Sequence, residues 1–281
     1  MNERSTPIDD RMTSASRMLF LIAGVLVVLA GFSLFVLTEH TDRFFAWTIN
    51  PPVTAAFMGA AYWSAAILQF SAWRSSSWNR AAAVLPGIVT FTVLTLIATL
   101  IHVDRFHLDN PLGWIWIGIY VLFPVAALLV IRRHGRPGRI QPGPGGQMPE
   151  GLRVLSLIQS AVLIPTGIAL FLVPAIAESI WSWELTPLTA RAVAAWLIGM
   201  GVTAAFEAWQ RDGELARLLG LGKLVLVLLV AMAVGRYSGD VNLGSTQFAV
   251  GIIFCALLLT DGALSTFGLP PAPASPGRAG P

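Results

Sequence analysis

His40, His102, Asp104 and His107 are the residues of this chain whose types could hold a metal ion or a haem. Neutral imidazole and carboxylate suit zinc, copper or iron, and two histidines from different helices can serve as axial haem ligands. His40 follows the first apolar segment, and His102 ends the third. His107 lies with Asp104 and Asp109 in the connection after that, so a bundle that returns the third segment beside the first would gather them. The spacing counts against a site on one helix face, because His102 and His107 stand five residues apart where such ligands stand four apart.

A second group of charges is suited to tying connections together. Arg105 with Asp109, and Arg236 with Asp240, have the spacing of helical ion pairs, while Asp42 and Glu178 occupy matching places in two other connections. Arg191 lies one turn inside the sixth apolar segment and can extend outward to Glu184 or Glu178. Glu207, Lys223 and Asp261 fall near the other ends of their segments, where they read as interfacial anchors or helix-end ion pairs rather than a proton relay.

No residue is assigned a catalytic role. The chain has no Walker loop, dinucleotide fingerprint, HExxH, CxxC or nucleophile elbow, and this favours a protein that is not an enzyme. The single cysteine, Cys255, excludes disulfides and cysteine-based metal sites.

The elements that position these residues are written in the composition. Hydrophobic residues make up 55% and charged residues 12% of 281, and the mean hydropathy is +0.70, far more apolar than a soluble domain. A helix needs about 20 apolar residues to cross a bilayer. Eight segments approach that length: 18–37, 52–71, 82–103, 112–131, 153–174, 188–208, 217–235 and 246–262. The expected fold is an all-α polytopic membrane protein.

These eight helices read as two parallel four-helix repeats. DRFFAWTINP, ending at Pro51, returns as ESIWSWELTP, ending at Pro187, so that Trp47 matches Trp183. In each copy Asn50 or Thr186 is placed to cap a helix opened by the proline. Farther on, Arg105-Phe106-x-x-Asp109 resembles Arg236-Tyr237-x-x-Asp240, which aligns the two arginines. The domain reading is a tail over 1–16, repeats over 17–134 and 151–267, a flexible Pro/Gly-rich linker over 135–150, and a disordered tail over 268–281.

Arginine and lysine set the orientation. With the N-terminus cytoplasmic, fourteen of them fall inside and only Arg43, Arg105 and Arg236 fall in outside connections, which places both termini in the cytoplasm. Arg-, Ala-, Gly- and Pro-rich usage suggests a bacterial inner membrane. Trp47 and Trp183, with Trp114 and Trp181, are expected in an outer aromatic belt.

The functional expectation is a permease-like protein for a small molecule or lipid, using a path between the two halves with recognition groups on the outer face. The alternative is a non-transporting subunit, scaffold or sensor whose outer face binds a partner, metal or haem. A cavity reaching mid-membrane between the halves would separate the two. Expected partners are membrane lipid, and a partner membrane protein or a second copy of the chain, with no nucleic acid.

Overall fold

Each apolar segment folds into one long helix in the computed structural model, which describes residues 10–135, 138–140 and 145–269. The helices are α1 (Ser14–Phe35), α2 (Pro52–Arg74), α3 (Leu85–Ile101), α4 (Pro111–His134), α5 (Glu150–Leu172), α6 (Pro187–Gln210), α7 (Gly213–Arg236) and α8 (Thr246–Phe267). A short helical turn, Trp78–Ala82, leads into α3 and completes the third span. All eight are long and apolar enough to cross a membrane. Because the number is even, the start of α1 and the end of α8 share one face, here the terminal face; the opposite side is the far face.

Five of these helices, α1, α4, α6, α7 and α8, start behind a residue whose side chain supplies what a first turn lacks, an acceptor for its free amides. Thr186 accepts from Thr189 N ahead of Pro187, as its position implied. The matching site differs. Helix α2 opens on Pro52, Asn50 makes no cap, and the Val53 amide donates instead to Asp240 Oδ2 of the other half at 3.3 Å. Two adjacent prolines push the helix start one residue on, out of reach of Asn50.

Helices α2 and α6 are the most enclosed. α2 is packed between α1 and α7, and α6 between α5 and α3. Thus the third helix of each half lies against the second helix of the other half, and the halves interlock rather than standing side by side. Glycines allow these approaches: a Cβ on Gly87 of α3 would meet Gly199 O of α6 at 2.6 Å, and one on Gly262 of α8 would meet Gly220 O of α7 at 2.9 Å. Between membrane helices, where lipid is as apolar as protein, such close backbone packing is a main source of association.

Backbone hydrogen bonds recur between the halves. In the first far-face connection Phe45 N donates to Thr41 O and Trp181 N to Ala177 O, 136 residues apart. In the third, Arg105 N to His102 O and Asn110 N to His107 O are repeated by Asp240 N to Tyr237 O and Ser245 N to Asn242 O, 135 residues apart. This pattern sets Arg105 opposite Asp240, not opposite Arg236. The resemblance of the two Arg-aromatic-x-x-Asp strings is therefore out of register by one helical turn.

The linker is docked where it is described. Ile140 is buried and its amide donates to Gln210 Oε1 at 2.8 Å, while Met148 is buried and its amide donates to Arg211 O at 2.9 Å. Ile140 and Met148 are thus anchored although the Pro and Gly content around them suggested free motion. Nearby, Arg80 pairs with Glu214 at 2.6 Å and Asp212 at 3.7 Å, joining the terminal ends of the two halves. The expected tail over 268–281 lies outside the described residues from 270 onward; before it, Leu269 is buried and its carbonyl accepts from Arg217.

Candidate functional site: a central cavity with a buried charge cluster

The far-face histidines do not converge. His102 caps α3, and its Nε2 accepts from Arg191 Nη1 at 2.7 Å. His107 turns to Thr48 Oγ1 (3.1 Å) and Phe45 O (3.3 Å), His40 is exposed, and Asp104 pairs with Arg105 at 3.1 Å on the exposed surface. Among the described residues no three His, Cys, Asp or Glu side chains come together as a metal set. At His102 the Arg191 guanidinium occupies Nε2, one of the two nitrogens through which an imidazole binds a metal. Partial burial and the Arg191 charge both lower the affinity of His102 for a proton, keeping it neutral.

The other far-face charges also take partners the sequence did not suggest. Arg191 reaches His102 rather than Glu184 or Glu178, and its Nε has no partner. Arg236 donates to Phe35 O at 3.1 Å and lies over the Tyr237 ring, so the pair with Asp240 does not form. Asp109 and Glu178 are exposed, and Asp42 pairs with its neighbour Arg43 at 3.7 Å.

Trp47 is not part of an interfacial belt. It is 2% exposed, with Phe45, Phe106 and Trp116 packed on it at ring separations of 4.7, 5.1 and 4.9 Å. Trp183 is partly buried, donates to Thr54 Oγ1 at 3.0 Å and packs edge-on to Trp181. Trp114 differs, at 61% exposure on the outside of the bundle. The Trp47 cluster continues inward through Trp116 to Tyr120, whose hydroxyl bonds that of Tyr62, and on to Trp196 and Phe91. These rings close the far-face side of the bundle centre.

Below them lies a cavity of about 180 Å³ to which all eight spans contribute. Tyr62, Phe91, Trp116, Tyr120 and Trp196 form its aromatic part, and Gln69, Gln159, Glu207 and Lys223 its polar part toward the terminal face. Lys223 stands ten residues into α7, about 15 Å along the helix. Ionisable side chains at such depth are costly and retained for function more often than for packing.

Three helices bring the charges together. Lys223 Nζ of α7 donates to Glu207 Oε2 of α6 at 2.8 Å and to Asp261 Oδ2 of α8 at 2.5 Å. Gln159 and Ser156 of α5 donate to Asp261 Oδ2 (2.7 Å) and Glu207 Oε2 (3.1 Å), and Ser265 donates to Asp261 Oδ1 (3.3 Å). Both oxygens of Asp261 are thereby engaged. Glu207 differs: it is 1% exposed, and its Oε1 meets no hydrogen-bond donor among the described residues. Gln69 Oε1, buried on the wall of the same cavity, is also unmatched.

Reading each helix end by itself hid this cluster, because Glu207, Lys223 and Asp261 are separated by 16 and 38 residues. One signal was present. Lys223 is the only lysine beside seventeen arginines, and it interrupts an apolar helix. Buried salt bridges usually employ Arg for its fork of donors; an ammonium is the compact cation that fits between two carboxylates. Compared with protein-family models, curated proteins and solved structures, the chain matches none of them.

Proposed function

We propose that this protein is a permease for a small, largely apolar molecule, with its binding site in the central cavity. The carrying observation is that cavity, lined by all eight spans at the junction of the halves and ending in the Glu207, Lys223 and Asp261 cluster. A scaffold has no use for a cavity walled by buried charges in its centre, which weakens a membrane bundle. The interlocked pairing of α2 with α7 and α6 with α3 supports a duplicated chain whose halves are related by an axis along the membrane normal, a common plan for transporters. The excess of arginine on the terminal face supports a cytoplasmic location for both termini in an inner membrane. Exposed residues such as Leu122, Leu172 and Ile253 then meet lipid.

Cysteine accessibility tests this reading. In a Cys255→Ser background, Thr92→Cys and Met200→Cys place thiols on the cavity wall. A membrane-impermeant thiosulfonate is expected to modify them when applied to right-side-out and to inside-out vesicles, as an alternating path requires. Protection from both sides would overturn the permease. A third variant, Gln147→Cys, is expected to react only in inside-out vesicles, and reaction in intact cells would reverse the orientation.

A further inference from the structure

We infer that the ligand of this cavity is a protonated organic amine, its ammonium held by Glu207 Oε1 and its apolar body lying among the aromatic rings. This rests on the permease reading for its location and goes beyond it in chemistry. The charge count is the first argument. Glu207 and Asp261 share the single ammonium of Lys223, leaving a formal surplus of one negative charge in a membrane interior. Such a surplus is costly unless a cation or proton joins it. Lys223, Asp261, Ser156, Gln159 and Ser265 are the polar groups bonded within the cluster, and none of them meets Glu207 Oε1.

The second argument is the identity of the unmatched atoms. Glu207 Oε1 and Gln69 Oε1 both accept hydrogen bonds and meet no donor among the described residues, so a ligand suited to them carries N–H or O–H bonds. A primary ammonium supplies three. The third is shape. Trp196 and Glu207 lie eleven residues apart on α6, about 16 Å along the axis, and both border the cavity. A ligand reaching between them has a charged head and an extended apolar or aryl tail, and rings facing a cation add cation–π attraction.

The test uses 4-phenylbutylamine, protonated at neutral pH, against 4-phenylbutan-1-ol, which keeps the donor and the tail but lacks the charge. Binding to the purified full chain is read by calorimetry and by fluorescence of Trp116 and Trp196. The amine is expected to bind, the alcohol about thirty-fold more weakly, and Glu207→Gln to weaken the amine by a similar factor while leaving the alcohol unchanged. Equal binding of the two compounds, or an amine affinity unaffected by Glu207→Gln, would overturn the inference. If Glu207→Gln does not fold, Gln69→Leu serves: loss of amine affinity with the alcohol retained supports the site, and no change refutes it. Failure of the amine to bind a protein whose cavity cysteines react from both sides defeats the amine and leaves the permease. Amine binding to a protein whose cysteines react from neither side defeats the permease and leaves the site.

Discussion

Replacing Lys223 by methionine removes the cation that joins α6, α7 and α8 through Glu207 and Asp261 while keeping most of the side-chain volume. Its ammonium touches Glu207 at 2.8 Å and Asp261 at 2.5 Å, and both acids are buried. Taking one partner from a buried pair costs about 3–5 kcal/mol, because the charge left behind has lost both water and its counter-ion. At about 2–4 °C per kcal/mol for a domain near this size, the melting point in detergent falls by about 6–20 °C. The cost belongs to the stranded carboxylates, not to a lost contact. A triple variant, Lys223→Met with Glu207→Gln and Asp261→Asn, is therefore expected to recover most of the loss. Thermal unfolding of all these variants, followed by tryptophan fluorescence and by the monodisperse fraction after heating, measures both effects. A Lys223→Met protein melting within about 2 °C of wild type, or a triple variant less stable than the single one, would refute the electrostatic reasoning.

Other consequences can be measured in the same way. Trp47→Ala opens the far-face aromatic core and should cost about 3–5 kcal/mol, whereas Trp114→Ala on the exposed surface should cost under about 1 kcal/mol; equal losses would restore Trp47 to a belt role. Asp240→Ala removes the acceptor for the Val53 amide and should cost about 1 kcal/mol, as lost helix caps do, with no effect on amine binding. His102 is held below its ordinary proton affinity by burial first and by Arg191 second. Its contribution is then present above the unfolded-state pKa of about 6.5 and is lost as pH falls through the lower folded value. Wild type should lose melting temperature on acidification below about pH 6.5, and His102→Gln should lose less; identical pH profiles would remove this role.

Much of the architecture was legible in residue order because it rests on local physics. An apolar run either is or is not long enough to span hydrocarbon, and eight are. Thr186 ahead of Pro187 caps α6 because both requirements are met within three residues. Two adjacent prolines displaced the matching start of α2, and the acceptor there came from Asp240, 187 residues away. The linker shows the same limit: its composition disfavours helix, yet Ile140 and Met148 find burial against partners no local rule identifies.

Which way each residue points was decided only by the fold. In a soluble helix the polar face is turned to water and the apolar face to the core, so the sequence pattern reveals direction. A membrane helix is apolar toward both lipid and protein, and that signal disappears. Trp47 and Trp114 look alike in sequence, but one is in the aromatic core and the other faces outward. Likewise His40, His102 and His107 shared a face without sharing a site, while Glu207, Lys223 and Asp261, distant in sequence and each plausible as an anchor, met on the wall of one cavity. Length, apolarity and capping are properties of a segment and were determined by the sequence alone; the meeting of these three charges depends on the rotation of three helices about their axes, and close packing of the whole bundle sets that rotation.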